Sequence, residues 1–283
     1  MGSLSTVDAS RLEAVAAEVR RLTLTTVHRA GAGHVGGPLS VVEILVTLYF
    51  HELAVDPERP DWPDRDRLVF SKGHSAPALY AVLAERGFFP VGELATFDEL
   101  GSRLQAHPDM TRLPGLDMST GSLGQGLSVG VGMALAARLR GAAWRTHVIL
   151  GDGESQEGQV WEASFVAARD RLDNLVAILD WNHLQQYGWH EPGRPAAERM
   201  DPQPEPAERW RSIGWHALEI DGHDVAAIAA GLAEARATHG RPTILVARTI
   251  KGRGVSFMEG DYRWHSKPVT DDDLRRALEE LAG

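Results

Sequence analysis

The chain has 283 residues, of which 43% are hydrophobic and 24% are charged, a composition that is typical of globular proteins and excludes disordered and fibrous classes. Its 29 Lys and Arg residues against 39 Asp and Glu residues give a net charge of −10, and without a basic run this argues against a nucleic-acid partner. Cysteine is absent, which excludes disulfide bonds, thiolate metal sites, iron–sulfur clusters and a cysteine nucleophile.

The start of the chain predicts two helices. Apolar residues recur at helical spacing from Leu12 to Leu22, and Asp8 or Ser10 is placed to cap the helix that they predict. Ser40 and Glu43 form a predicted capping box ahead of an apolar run, which indicates that a second, buried helix begins there.

From residue 68 onward, predicted strands and helices alternate. The strands are 68–70, 147–150, 175–180, 215–220 and 243–249, and the helices are 76–86, 124–140, 157–171, 206–213 and 224–238. This alternation is typical of βαβ units and predicts an α/β fold with a doubly wound, mostly parallel sheet and helices on both faces. No repeat or linker is present, so we expect residues 1–283 to form a single domain with a proline-rich loop insertion near 186–206.

Polar residues follow the second and third predicted strands. Asp152 lies between Gly151 and Gly153 after one strand, and Asn182 follows the other about 30 residues later, the length of one βαβ unit. If the strands are adjacent and parallel, their ends are about 4.8 Å apart at the edge where α/β sheets bind ligands. Carboxylate and amide oxygens favour Mg²⁺ or Ca²⁺, and Mg²⁺ commonly completes its shell with phosphate oxygens. The two glycines have no side chains where a diphosphate would approach, and the N-terminus of the next helix offers backbone N–H groups and a favourable dipole.

Other interpretations of the glycine motifs exist. A glycine-flanked aspartate is common in turns, so Asp152 indicates a metal only together with Asn182. Residues 31–36, GAGHVG, fit the GxGxxG pattern of dinucleotide-binding proteins, and Asp56 follows 20 residues later. A helix is predicted before this motif where a strand is required, so a nicotinamide enzyme is not predicted.

The motif order resembles that of a known enzyme family. GDG followed by 28 residues and Asn resembles the thiamine diphosphate signature, and AGHVGGPLS, SKGH, AHPDM and STGSLGQG precede it in the order seen in transketolases. The resemblance extends from about residue 10 to the tail RWHSKPVTDDDLRRAL. In length and ending the chain is most similar to the small subunit of split transketolases, in which the diphosphate-binding and pyrimidine-binding domains are separate polypeptides.

The resemblance implies roles for individual residues. The magnesium ligands would be Asp152, Asn182 and the backbone carbonyl of Leu184, with Ca²⁺ or Mn²⁺ as substitute ions. The implied catalytic residues are His34, His74, His107 and His265 around the thiazolium and sugar hydroxyls, and Glu157, an acidic residue linked to the subunit interface. The implied cofactor contacts are His74, Gly121, Ser122, Leu123, Gly124, Gly151, Asp152, Gly153, Glu154 and Asn182.

Some of these roles have structural alternatives. An isolated histidine is more often structural or exposed, and Glu157 could simply favour a helix N-terminus through its charge. The chain also departs from the family pattern at Val35, Lys72 and Trp181, where proline, asparagine and an acidic or polar residue are usual. We expect cofactor binding to survive these changes.

The resemblance implies a transferase that moves a two-carbon ketol unit from a ketose or ketose phosphate to an aldose through thiamine diphosphate and Mg²⁺. The glutamate that activates the cofactor lies in the pyrimidine-binding domain, so we expect a complementary partner subunit within an α2β2 assembly. Two alternatives are a specialised or non-sugar acceptor and a noncatalytic cofactor-holding or regulatory subunit. No apolar run reaches about 18 residues and the N-terminus lacks secretory features, so we expect a cytoplasmic protein without a membrane segment.

Overall fold

The computed structural model describes residues 8–186 and 204–282 and has a five-stranded sheet at its centre. The strands are Arg67–Phe70 (β1), Thr146–Gly151 (β2), Leu175–Trp181 (β3), His216–Asp221 (β4) and Thr243–Arg248 (β5). Their order is β1-β2-β3-β5-β4, and every neighbouring pair is parallel. The predicted strands and their parallel arrangement are therefore confirmed.

The helices connect these strands and extend beyond them. Their bounds are Ala9–Ala30 (α1), Gly36–Ser40 (α2), Val42–Thr47 (α3), Ala76–Arg86 (α4), Gly126–Arg140 (α5), Gly158–Arg169 (α6), Pro206–Ser212 (α7), Val225–Ala237 (α8) and Asp271–Ala282 (α9). Asp8 caps α1 by accepting a hydrogen bond from the backbone N–H of Arg11 at 3.1 Å. Gly87 and Gly141 end α4 and α5 in the left-handed conformation, as their positions predict. Within the described ranges, no helix is both long and apolar enough to cross a membrane.

The sheet is covered on both faces, which confirms the doubly wound arrangement. One hydrophobic core joins α1, α3, α4 and α8 to one face, and a second core joins α5, α6 and α7 to the other. Alternate residues of each strand supply the two cores, with Leu68 and Phe70 on one side and Val69 on the other. Because β2 and β3 are buried along their whole length, apolar residues occupy both faces of these central strands.

The start of the second helical region differs from the prediction. Helical backbone already begins at Gly36, so Ser40 is the last residue of α2, and no side chain caps α3. Ser40 instead donates a hydrogen bond to Asp180 at 2.7 Å, and Glu43 pairs with Arg20 and His223. The predicted capping box is wrong because both side chains have charged tertiary partners in the protein interior, where such bonds outweigh a local cap.

Two further predictions have different outcomes. Helix α1 ends at Ala30, directly before residues 31–36, so the prediction that a helix precedes the GxGxxG match is confirmed. Most of the predicted loop insertion near 186–206 lies outside the described residues. Helix α9 is not among the predicted elements, although its three initial aspartates favour a helix N-terminus.

Candidate active site

The carboxyl ends of β2 and β3 form one side of a cavity of about 410 Å³. The two strands are adjacent and parallel, with Gly151 opposite Asp180, which confirms the predicted pairing. Asp152 and Asn182, the residues that follow these positions, both line the cavity together with Leu184. The structure therefore brings the three residues predicted to bind a metal to one site.

Asp152 carries a carboxylate oxygen that lacks a partner. Its Oδ1 accepts a hydrogen bond from the backbone N–H of Gly153 at 2.8 Å, whereas Oδ2 is buried and has no hydrogen-bond partner among residues 8–186 and 204–282. Burial and the negative charge of Asp180 raise the pKa of Asp152 to about 7. A buried, unpaired carboxylate oxygen is energetically costly, and a bound cation would remove that cost. This orphaned oxygen fits a metal site.

Asn182 presents its amide in a defined orientation. Its Nδ2 donates to Asp180 at 3.3 Å, and its Oδ1 accepts from the backbone N–H of Leu184 at 3.0 Å. If the amide were flipped, its oxygen would face the Asp180 carboxylate and its NH₂ group would face the Leu184 N–H. Both contacts therefore select the same orientation. The carbonyl oxygen of Leu184 accepts from Nζ of Lys251 at 3.1 Å, so this oxygen already faces a cation.

The donor types at this edge suit a hard cation. One carboxylate, one amide oxygen and one backbone carbonyl are ligands that Mg²⁺ and Ca²⁺ accept. Among residues 8–186 and 204–282, no group of three or more His, Asp or Glu side chains is placed to hold a metal. A metal at this cavity would therefore depend on the mixed donor set, with its remaining positions filled by a ligand or by water.

Three histidines meet on another wall of the cavity. The ring centroids of His34, His74 and His265 are 4.8 to 5.3 Å apart. Burial, together with the positive charges of Lys72 and Lys251, lowers their pKa values to about 4 for His34, about 2 for His74 and about 3 for His265. All three imidazoles are thus neutral near pH 7, when each can donate one hydrogen bond and accept another.

His107 differs from the other three histidines. It lines the cavity but is exposed, and it lies against the glycine-rich loop, residues 120–125, which precedes α5. A side chain at Gly121, whose φ is 141°, would come within 2.8 Å of the His107 ring, so only glycine fits this approach. The structure therefore places His107 at the mouth of the cavity, beside the loop that the family resemblance assigns to the cofactor.

Glu154 holds that loop in place from beneath. Its two carboxylate oxygens accept hydrogen bonds from the backbone N–H groups of Gly124 at 2.9 Å and Gly151 at 3.0 Å, and the Ser71 hydroxyl donates to it as well. Burial raises the pKa of Glu154. Although Glu154 lines the cavity, both oxygens are occupied by protein donors, so its contribution to the site is to connect β1, β2 and the glycine-rich loop.

Three predicted residues lie away from the cavity lining. Ser122 is exposed, and Gly124 is buried behind the loop with its N–H directed to Glu154. Glu157 is exposed at the N-cap of α6 and makes no side-chain cap bond. The catalytic role of Glu157 stays a prediction, and its position also suits the alternative of an acidic residue at a helix N-terminus.

The sequence reasoning missed three charged residues at the site. Lys72 and Lys251 line the cavity although each is only 2% exposed, and Asp180 is completely buried behind it. Burial and the charge of Lys72 lower the pKa of Lys251 to about 8. Burial favours a higher pKa for Asp180, but Lys72 and nearby hydroxyl donors hold that pKa below its usual value. The signals were present, because Asp180 interrupts an apolar strand and Lys251 follows the end of β5.

Comparison with known proteins connects this arrangement to a family. The family model described as "Transketolase, thiamine diphosphate binding domain" matches residues 11–282. The chain belongs to the transketolase family. Its resemblance to the N-terminal subunit of a split transketolase is confirmed by relatives whose length it matches almost completely.

Two such relatives are bacterial transketolase subunits. The chain is 44% identical over 263 residues to the 6-deoxy-6-sulfo-D-fructose transketolase subunit of Clostridium sp. (strain MSTE9), covering 93% of each chain. It is 40% identical over 271 residues to an apulose-4-phosphate transketolase subunit of Phocaeicola vulgatus, covering 96% of this chain and 94% of that one.

Solved transketolases are longer than this chain. The Campylobacter jejuni transketolase is 30% identical and superimposes with a TM-score of 0.88, covering 98% of this chain but 43% of that one. A Pichia stipitis transketolase in complex with sedoheptulose 7-phosphate gives a TM-score of 0.87 at 32% identity and covers 96% and 41% of the two chains. The chain thus matches less than half of the length of each of these two solved transketolases.

Proposed function

We propose that this chain is the diphosphate-binding component of a two-component transketolase, which moves a two-carbon ketol unit from a ketose donor to an aldose acceptor. The observation that carries the proposal is the cavity at the ends of β2 and β3, which combines an orphaned carboxylate oxygen, buried lysines and neutral histidines. The names of the two bacterial relatives, both transketolase subunits that this chain covers over more than nine tenths of their length, support it.

The residues present fit thiamine diphosphate with Mg²⁺. Asp152, Asn182 and the Leu184 carbonyl would hold the ion, with Ca²⁺ or Mn²⁺ as substitutes. Gly153 lines the cavity beside them and carries no side chain, and Lys251 supplies positive charge for a diphosphate. When bound, thiamine diphosphate supplies a carbanion that adds to the carbonyl of a ketose, so the organic chemistry belongs to the cofactor.

The protein contributes binding and orientation. His34 and His74 are neutral at physiological pH, so each can accept a hydrogen bond from a sugar hydroxyl at one nitrogen while donating from the other. The ammonium of Lys251 donates to Nδ1 of His265 at 3.0 Å, which leaves the His265 proton on Nε2. His107, at the mouth, is placed to contact the part of a sugar that extends out of the cavity.

A complementary subunit is needed to complete this site. The glutamate that bonds the aminopyrimidine ring in the family belongs to the pyrimidine-binding domain, whereas residues 11–282 of this chain match the thiamine diphosphate binding domain. We therefore propose a partner carrying that domain, in an α2β2 assembly that places Glu157 at the subunit interface. Whether donor and acceptor are phosphorylated would be decided mainly by the partner.

A specialised acceptor is the second candidate function. The two bacterial relatives are named for a sulfonated ketose and for apulose 4-phosphate, so related subunits serve unusual sugars. A noncatalytic cofactor-holding role does not explain why His34 and His265 also line the cavity, because neither is among the predicted metal or cofactor contacts. Profiling the reconstituted complex against pentose phosphates, sulfo-sugars and branched sugars would separate these functions.

Reconstitution tests the proposal directly. We expect the chain mixed with a pyrimidine-binding subunit, thiamine diphosphate and Mg²⁺ to transfer ketol units, whereas either chain alone gives no turnover. Robust turnover by this chain alone would contradict the need for a partner. Lack of Mg²⁺-dependent cofactor binding by the mixture would contradict the assignment of the site.

A further inference from the structure

The carboxylate of Asp180 accepts hydrogen bonds from four residues, three of which are remote from it in the chain. Its Oδ2 accepts hydrogen bonds from the hydroxyl of Ser40 at 2.7 Å, from the ammonium of Lys72, and from Nδ2 of Asn182 at 3.3 Å. Its Oδ1 accepts from the hydroxyl of Thr249. Asp180 is 0% exposed, so all of these partners reach it inside the protein.

Each partner of Asp180 belongs to a segment that supplies a cavity residue. Ser40 ends the helix that follows His34, and Lys72 lines the cavity itself and comes two residues before His74. Asn182 is the proposed metal ligand after β3, and Thr249 comes two residues before Lys251. A single carboxylate therefore connects the segments that carry the histidines, the amide ligand and the second lysine.

Stability alone does not explain why a charged residue occupies position 180. A buried ion pair such as Lys72–Asp180 contributes little net stability compared with well-packed apolar side chains, because both charges lose their hydration. A fully hydrogen-bonded carboxylate instead fixes the orientation of its donor groups, because each donor must point at one of its two oxygens. The nitrogen of the Asn182 amide is one of these donors, which directs the amide oxygen away from Asp180.

We propose that Asp180 is a positioning residue that sets the relative placement of the four cavity segments and the orientation of Asn182. It does not line the cavity, and it acts through the residues that do. The inference rests on the proposed function only in treating Asn182 as a metal ligand. The joint placement of the segments can be measured without any cofactor.

The first experiment compares Asp180→Asn with a matched control, Asp117→Asn, in the cofactor-free full chain. Asp117 is also a buried aspartate paired with a cation, accepting from Arg65 at 2.7 Å and from the backbone N–H of Leu68 at 2.8 Å at the opposite edge of the sheet. Hydrogen–deuterium exchange is followed by mass spectrometry. We expect Asp180→Asn to raise exchange about 10-fold in all four segments, 36–40, 72–75, 182–186 and 249–251.

The control shows how exchange changes when a buried aspartate away from the cavity loses its charge. Asp117→Asn should accelerate exchange around 65–68 and leave the four cavity segments within about two-fold of the wild type. The inference is overturned if Asp180→Asn accelerates exchange only in β3 and in residues 182–186, which follow it. It is also overturned if Asp180→Asn gives the same pattern as Asp117→Asn.

The second experiment measures binding of thiamine diphosphate with Mg²⁺ by calorimetry in the subunit mixture. We expect Asp180→Asn to weaken Mg²⁺-dependent binding about 10- to 100-fold, as loss of a residue that orients a metal ligand commonly does. Asp117→Asn should bind within about two-fold of the wild type. Unchanged affinity in Asp180→Asn overturns the inference alone, whereas a wild type that shows no Mg²⁺-dependent binding overturns the proposed function and this inference together.

If Asp180→Asn does not fold, the double variant Ser40→Ala with Thr249→Val replaces it. This variant removes two hydroxyl donors from Asp180 and keeps its ion pair with Lys72. We expect about 3- to 10-fold weaker Mg²⁺-dependent binding and faster exchange in segments 36–40 and 249–251. Wild-type affinity and wild-type exchange in the double variant would overturn the inference.

Discussion

Nζ of Lys251 lies 3.0 Å from Nδ1 of His265, although 14 residues separate the two in the region that follows β5. Lys251 also donates to the carbonyl oxygens of Leu184 and Gln185, each at 3.1 Å. The acceptors that the described residues supply to its ammonium are thus neutral, so no direct ion pair among them cancels its charge, and this charge can attract an anionic ligand. This pair links the histidine wall to the edge that carries the proposed metal ligands.

The first prediction concerns this charge. Lys251→Met should weaken thiamine diphosphate binding about 10- to 100-fold in the presence of Mg²⁺, because the diphosphate loses a buried cation. Isothermal titration calorimetry measures the effect. Lys267→Met is the matched control, since Lys267 is an exposed lysine two residues beyond His265, and it should bind like the wild type. Equal affinities for both variants would rule out the role given to Lys251.

The second prediction concerns the orphaned oxygen of Asp152. Asp152→Ala should abolish Mg²⁺-dependent cofactor retention. The free energy of unfolding should stay within about 1 kcal/mol of the wild type, because two effects offset each other. The variant loses the hydrogen bond from Gly153, but it also removes a buried oxygen that has no partner among the described residues. Calorimetric titration and urea unfolding test both parts. Asp61→Ala, at an exposed aspartate, serves as the control. Wild-type affinity in Asp152→Ala would reject the metal assignment.

The third prediction concerns acid sensitivity and a histidine far from the site. His147 in β2 is completely buried, its Nε2 lies 3.8 Å from Oε1 of Glu52, and burial lowers its pKa to about 3. Because the unfolded chain binds this proton near the ordinary value of 6.5, stability falls as the pH decreases from about 6.5 toward 3. His147→Leu should make the free energy of unfolding less dependent on pH by about 1 kcal/mol per pH unit between pH 6 and 4.

Urea unfolding at several pH values measures this slope. His239→Leu is the control, because the His239 side chain is 85% exposed and the substitution should leave the slope unchanged. If His147→Leu and the wild type lose stability in parallel on acidification, His147 does not contribute to acid sensitivity.

The fourth prediction compares two glycine substitutions. Gly121→Ala should cost about 1 to 3 kcal/mol and weaken cofactor binding, because its φ is 141° and the added carbon would lie 2.8 Å from the ring of His107. Gly132→Ala, in the exposed part of α5 with free space around it, should instead stabilise the chain by about 0.5 to 1 kcal/mol. Urea unfolding and calorimetry give both values. Equal effects of the two substitutions would contradict the close approach of the loop to His107.

Much of the candidate site could be predicted because it depends on strand ends. Asp152 and Asn182 are recognisable from the sequence, since each follows an apolar strand and parallel strands end at the same edge. Lys72 and Asp180 were missed as a pair because 108 residues separate them and nothing local indicates that they meet. The capping box failed for a similar reason, as Ser40 bonds a carboxylate 140 residues away.

The sequence by itself determined the alternation of helices and strands, the glycine helix ends and the family, because these depend on short-range periodicity, backbone preference and contiguous motifs. Only the tertiary structure decided which polar side chains are buried together, which carboxylate oxygen lacks a partner and which way the Asn182 amide points. The physical reason is that burial and hydrogen bonding depend on the distances between segments remote in the chain. Those distances, rather than residue type, determine the charge and the direction of each group in the cavity.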